Sequence, residues 1–417
     1  MSTSDISQQS MHSVEEALDL LLSNVRPITD IESVHTMQTL GRVLAEARYS
    51  RINVPPADNS AMDGYAVASR DIMPEASGKK EIKLPVSQRI TAGRAGNPLV
   101  PGTAARIFTG APVPLGADTV VMQEYCRLDE DGMVTIQTPV TPGVNVRYAG
   151  EDITKDDQIL AAGTKMAPQH MGLAASTGLE ELPVYRRLRV AVFCTGNELV
   201  EPGQPLKSGE IYNSNRYTLV GFLTALGCEV VDIGIVRDDL ETTQEALLTA
   251  AEQADLIITS GGVSVGDEDY VKIAVNRLGQ IEMWKIAIKP GKPLAFGNVR
   301  SIPIIGLPGN PVSLFVTFCL FARPFILRLQ GMKDVKPKSI SAVADFEWPA
   351  ANKRRQFLRG KLNGAGNGNA TIKIYPHQGS GVLTSTGWAD GLAVIPENRA
   401  VKRGDTMNFL PFSELLS

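Results

Sequence analysis

The sequence is poor in the residues that build metal clusters and disulfide frameworks, with four cysteines and four histidines among 417 residues. Cys126, Cys194, Cys228 and Cys319 stand far apart, with no C-x-x-C spacing. That argues against a Cys/His zinc module or a disulfide scaffold, and predicts four buried thiols in a reducing compartment. A basic excess is missing too: 41 Lys and Arg stand against 45 Asp and Glu, a net charge of −4. General nucleic-acid binders carry the opposite sign, so no nucleic-acid partner is expected. The longest apolar run, 312–322, is too short to span a bilayer and is followed by Arg323 and Pro324. It reads as a buried helix. The first ten residues, MSTSDISQQS, lack a basic start and an apolar stretch, which predicts no secretory leader, no membrane and a cytoplasmic location.

What is present, 43% apolar and 21% charged residues, is the composition of a globular protein too long for one core. Residues 13–25 open with a capping box, Ser13 and Glu16, followed by an apolar face of Ala17, Leu20, Leu21 and Val25. From 54 to 140, short apolar runs separated by Gly and Pro predict a β-rich inserted domain. Loop and helix return over 141–180, so 1–53 and 141–180 are expected to form one mixed domain around that insertion. Between 181 and 331, strand-like runs (LRVAVFC, CEVVDIGIV, DLIITS, IPIIGL) alternate with helical segments. This predicts an α/β domain with a parallel sheet, helices on both faces and ligands beyond the carboxyl strand ends. Residues 332–417, with the turn NGAGNGN at 363–369, suggest a C-terminal β-barrel. The fold class is therefore multidomain α/β.

The chemistry-bearing segments fall at those strand ends. TSGGVSVGDEDYV (259–271) follows one strand and leads into a helix. Gly261, Gly262 and Gly266 let the backbone approach a ligand, Ser264 adds a donor, and Asp267 and Asp269 bring acceptors for a hard cation or ligand hydroxyls. In KIAIKPGKPLAFG (285–297), Lys289 and Lys292 flank a Pro-Gly turn suited to an oxyanion. In GLPGNPVS (306–313), Pro308 and Gly309 lead to Asn310 as helix cap and Pro311 at its first position, leaving N–H groups aimed outward. TGNELVEPG places Glu198 at a further strand end. In the N-terminal half, VPPADNSAMDGYAV carries Asp58 and Asp63, RIFTGAPVP carries Thr109, and NVRYAGEDI carries Arg147, Glu151 and Asp152. Each segment alone also has a plain reading: a strand–turn–helix connection, solvated lysines, a capped helix, an Asx-turn.

In order, the segments DNSAMDGYAV, RIFTGAPVP, GEDI, TGNEL, TSGGVSVGDEDY, KPGKP and GLPGNPVS resemble the molybdopterin molybdenumtransferases, a family that includes the bacterial MoeA enzymes and the C-terminal domain of gephyrin. The resemblance runs from about residue 13 to the end. It implies insertion of molybdate into adenylated molybdopterin with release of AMP, and a homodimer whose active site is shared between subunits. The α/β domain is similar to the adenylyltransferase acting one step earlier, itself a possible partner. The family's functional acids fall on Asp58, Asp152, Glu198, Asp238 and Asp269, and its active-site threonine on Thr109. Its lysines fall on Lys285, Lys289 and Lys292, and its oxyanion positions on Arg359 and Ser380. The sequence departs from the family where Tyr148 and Ala149 follow Arg147, positions at which further basic residues are frequent. The implied chemistry needs amides and lysines for phosphate oxygens, with Asp58, Asp238 and Asp269 carrying Mg²⁺. Two rivals stand beside this reading: the preceding adenylyltransferase, and a scaffold protein.

Overall fold

A computed structural model describes residues 11–73, 81–137, 139–262, 269–364 and 370–416. Its central sheet has six strands in the order Glu229–Val236, Arg189–Thr195, Leu256–Ser260, Ile302–Leu307, Pro293–Val299 and Gly279–Lys285. The first four run parallel. Pro293–Val299 runs antiparallel to both of its neighbours, so the expected parallel sheet carries one reversed strand. Both of its connections are hairpins: 286–292, closed by a hydrogen bond from Ile286 N to the Lys292 carbonyl at 2.9 Å, and the turn at 300–301.

Alternation along each strand separates two cores. Val190, Val192, Leu256, Ile258, Ile305 and Leu307 face one, while Ala191, Phe193, Ile257 and Ile304 face the other. Both faces are covered by helices, as period-two burial of β-branched strands requires. Ala246, Leu247 and Ala250 of helix Leu240–Gln253 pack on the second face. On the first lies a continuous helical run of 19 residues, Pro311–Leu329, 94% buried within the protein although long and apolar enough to cross a membrane. It is the buried helix expected over 312–322, and it runs on through Arg323 and Pro324. A π turn at Phe318–Ala322 precedes Pro324 and accommodates its missing N–H.

Helix Val14–Ser23 carries the expected capping box, with Ser13 N donating to Glu16 and Glu16 N to Ser13 Oγ. Its buried residues are Val14, Ala17, Leu18 and Leu21, whereas Leu20 is exposed. They pack into the first α/β core, so this helix joins residues 1–53 to the α/β domain. The mixed domain is built by antiparallel pairs that tie residues 31–60 to 146–185: Ile31–His35 with Glu181–Tyr185, Arg48–Tyr49 with Gln158–Leu160, and Asn59–Ser60 with Val146–Arg147.

The inserted domain is a curled six-stranded sheet around Glu81–Ile90. The first half of this strand pairs with Met133–Gln137 and the second with Ala104–Ile107. At the C-terminus, Arg355–Asn363, Thr371–Ile374, Ile340–Ala344, Thr406–Pro411 and Gly391–Ile395 pair in turn, and the last pairs back with the first. The barrel is closed and leaves no edge among these strands. Residues 365–369 of the NGAGNGN turn lie outside the described residues. Cys194, Cys228 and Cys319 are buried, Cys126 only partly, and all four are free thiols. Burial pushes the Cys194 thiol up to about 11 and Cys228 to about 12, which leaves both inert at neutral pH.

Candidate active site

The carboxyl ends of the four parallel strands open into a cleft of about 500 Å³. It gathers Glu198, Asp238, Gly261, Gly262, Gly309 and Asn310 from four separate loops, together with Thr195 and Asn215. Gly261 (φ +90°) and Gly262 (φ +63°) occupy the left-handed region. A Cβ at Gly261 would lie 2.6 Å from the Thr195 carbonyl oxygen, and one at Gly262 would lie 2.4 Å from Val271 Cγ2. Only glycine fits such a turn, and its backbone is thereby brought to the cleft floor. Glu198 folds back over Gly196, where an added Cβ would meet its carboxylate at 2.6 Å.

Asn215 escaped the sequence reading. Its Nδ2 donates to Ser260 Oγ at 2.9 Å and to the Gly309 carbonyl at 2.7 Å, joining the end of one strand to the loop after the next. The signal available was the N-S-N run opening helix Ser214–Ala225, whose cap is Asn213. Pro308 is buried beneath its loop and does not line the cleft. Ser264, Gly266 and Asp267 lie outside the described residues. Asp269 is 6% exposed and caps helix Tyr270–Leu278, accepting from Lys272 N at 3.1 Å.

Asn310 sits at the helix start as expected, but its side chain makes no capping bond. The Val312 N–H does not point outward to a ligand; it donates to the Ser380 carbonyl at 2.9 Å. A barrel loop thus closes over this helix end. Behind the loop, Arg359 is fully buried, donating through Nε to Ser385 Oγ at 3.0 Å and through an Nη to the Gly379 carbonyl at 3.2 Å. No acid faces it among the described residues, and burial alone pushes the guanidinium down to about 10.

Lys285 ends the edge strand, and its carbonyl accepts from His12 N at 2.9 Å. Lys289 pairs with Gln356 of the barrel, so the lysine turn bridges the α/β domain and the barrel. Lys289 and Lys292 are both exposed. Gly291 (φ +99°) wedges the turn against the Pro311–Thr317 helix, where a Cβ would stand 2.5 Å from Thr317 Oγ1. Gly291→Ala should therefore cost about 2 kcal/mol, read as a lower thermal midpoint. An unchanged midpoint would remove the wedge from the account.

The acids of the N-terminal half collect elsewhere. Asp58 Oδ1 accepts from Ala149 N at 2.8 Å, and Asp152 N donates to the Val54 carbonyl at 3.0 Å. Thr109 donates its amide (2.8 Å) and hydroxyl (2.7 Å) to Asp63 Oδ1. Those two bonds hold the Asp63 carboxyl below its usual range. None of Asp58, Thr109 and Asp152 lines the cleft. Among the described residues no three His, Cys, Asp or Glu side chains form a metal-type cluster, so Asp58, Asp238 and Asp269 do not meet within one chain.

Three family models match in succession: MoeA N-terminal region (domain I and II) over 12–178, probable molybdopterin binding domain over 191–328, and MoeA C-terminal region (domain IV) over 341–412. The chain is 40% identical to the molybdopterin molybdenumtransferase of Haemophilus influenzae over 97% of its own length and all of the relative's. It is 39% identical to molybdopterin molybdenumtransferase 2 of Mycobacterium tuberculosis over 93% of its length and 96% of the relative's. Among solved structures it is similar to a molybdopterin biosynthesis MoeA protein from Pyrococcus horikoshii, with a TM-score of 0.77 at 34% identity, covering 97% of this chain and 99% of that one. The curled inserted sheet, the α/β cleft and the closed barrel, together with identity along nearly the whole chain, place it in one family: the protein belongs to the MoeA family of molybdopterin molybdenumtransferases.

Proposed function

We propose that the protein inserts molybdate into adenylated molybdopterin and releases AMP. The observation that carries this reading is the cleft at the parallel strand ends, within the segment that matches a molybdopterin-binding model. Its Gly261–Gly262 turn offers backbone donors to phosphate oxygens, and the neighbouring carboxylates suit N–H and O–H groups of a pterin. In the reaction the adenylated phosphate anhydride is cleaved, AMP leaves, and molybdenum is taken up by the two dithiolene sulfurs. Glu198 positions the pterin or the attacking oxygen. Lys285, Lys289 and Lys292 supply positive charge for the oxyanion.

Mg²⁺ is usually held by one or two carboxylates plus substrate phosphates rather than by a complete protein cage. Glu198 and Asp238 fit that use. Asp269, committed to its helix cap, fits less well, and Asp58 fits only if a second subunit brings it to the cleft. Bound there, Mg²⁺ would neutralise charge on the scissile phosphates. A homodimer with a shared site, contact with the preceding adenylyltransferase and a cytoplasmic location belong to the same proposal.

Incubation with adenylated molybdopterin tests it, since AMP release must depend on molybdate. An adenylyltransferase would instead consume ATP, and a scaffold would release nothing. Lys292→Ala should weaken molybdate use about tenfold or more, the worth of one charge-assisted contact, while leaving pterin binding near normal. Loss of pterin binding with an unchanged molybdate constant would reverse the assignment.

A further inference from the structure

Two stretches of backbone face each other in the cleft at the strand ends, the Gly261–Gly262 turn and the loop at 309–310. They lie close together: a Cβ at Gly309 would stand 3.9 Å from Gly261 Cα. Gly261 N donates to the Leu307 carbonyl at 3.3 Å, which is long for such a bond. A shorter link is made by a side chain. Asn215 Nδ2 donates to the Gly309 carbonyl at 2.7 Å and to Ser260 Oγ, just before the glycine turn, at 2.9 Å.

The Gly309 carbonyl fixes which way this amide faces. Turned over, the amide would set its own oxygen against that carbonyl. The orientation holds although it leaves Oδ1 shielded from solvent, with no hydrogen-bond partner among the described residues. Asn215 is also delivered from a rigid frame. It is the second residue of helix Ser214–Ala225, whose cap Asn213 accepts from Arg216 N at 3.2 Å. Two turns further on, Phe222 lies on the same helix face. Its ring stacks on Phe318 with centroids 4.3 Å apart and meets Phe315 at 5.0 Å. Both partners belong to the helical run that starts at Pro311, directly after the loop that Asn215 holds. The aromatic packing fixes helix against helix, and Asn215 carries that fixed distance to the cleft.

We infer that Asn215 is a positioning residue: it sets the spacing of the two backbone walls, and with it the grip on the phosphate end of the nucleotide substrate. The molybdate-insertion reading supplies the identity of that substrate. Without the side chain the helix stays in place, because the packing at Phe222 remains, but the walls lose their fixed spacing. A misplacement on the order of 1 Å costs about a hundredfold in turnover.

Asn215→Asp keeps the shape of asparagine and offers a donor only when its carboxyl is protonated. Facing two oxygens in a partly buried place, that carboxyl titrates above the usual range, so the link is present at low pH and lost as pH rises. AMP release by Asn215→Asp should therefore lie about a hundredfold below wild type at pH 8 and within about tenfold of it at pH 5. Asn215→Ala should be low at both pH values, with a thermal midpoint near wild type and a KM raised no more than about fivefold. Alanine is favoured in a helix, so this variant folds whatever the aspartate does. Variants that lose midpoint but turn over like wild type when folded, with no dependence on pH, would make Asn215 a structural residue and overturn the assignment. Calorimetric titration with AMP at the same two pH values separates this outcome from the reaction itself. If wild type shows no molybdate-dependent AMP release, the proposed reaction falls. The positioning role then stands if Asn215→Asp binds AMP about fivefold more weakly than wild type at pH 8 and recovers at pH 5. Equal AMP affinity in wild type and variant at both pH values overturns it.

Discussion

Co-expressing Asp58→Asn and Asp238→Asn chains should restore about a quarter of wild-type AMP release, although each variant alone is impaired about a hundredfold. The expectation follows from where the two acids lie. Asp238 lines the α/β cleft, whereas Asp58 sits on the turn before Asn59–Ser60 and is tied to Ala149. If both act on one substrate, Asp58 must come from another copy of the chain. Random pairing then makes half of the dimers mixed, and each mixed dimer holds one site with both acids intact. Asparagine keeps the shape of aspartate and can still accept from the Ala149 amide, so both variants should fold. Added Mg²⁺ should partly relieve Asp58→Asn, because a hard cation prefers a carboxylate to an amide oxygen. No recovery in the mixed preparation would place both acids in one chain's site. A fully active Asp58→Asn would remove that residue from the chemistry.

How much of this was legible in the sequence depends on the range of the interactions concerned. The cap at Ser13, helix Leu240–Gln253 and the strands ending at Thr195 and Ser260 follow from local chemistry and periodicity, and each lies where the pattern puts it. The loops after those strands converge because a parallel sheet aligns its carboxyl ends, so Glu198, Asp238 and Gly261 could be foreseen as neighbours. Non-local pairings were not legible. Nothing near Lys289 announces that its strand pairs with Gln356, nor does Ser380 show that its carbonyl accepts from Val312. The packing of helix Val14–Ser23 is of the same kind, because an amphipathic face does not specify which domain buries it.

Replacing Arg359 by methionine should leave the thermal midpoint almost unchanged while weakening molybdate use about a hundredfold. The two halves of the expectation have separate causes. A buried guanidinium without a counter-ion costs several kcal/mol of desolvation, and the depressed pKa of about 10 has burial as its cause. Against this stand its hydrogen bonds to Ser385 Oγ and to the Gly379 and Phe357 carbonyls, each worth roughly 1.5–3 kcal/mol from a charged donor. Methionine fills most of the volume, removes the desolvation cost and forfeits the bonds, so the terms nearly cancel. What Arg359 adds beyond stability is its charge and its hold on the loop. That loop runs from Gln378 to Gly381, accepts from the helix at Val312, and carries Ser380. On the proposed reaction, Arg359 would act as a positioning residue for the oxyanion side of the site. Arg359→Ala serves as the contrast: it leaves a void and should lower the midpoint as well. Lysine should not rescue, since one ammonium cannot reproduce the guanidinium's fork of donors. The decisive measurement sets the apparent molybdate constant beside turnover at saturating molybdate. If Arg359→Met lowers the midpoint by ten degrees and leaves the molybdate constant unaltered, Arg359 is a structural strut and the oxyanion role passes to the lysines alone.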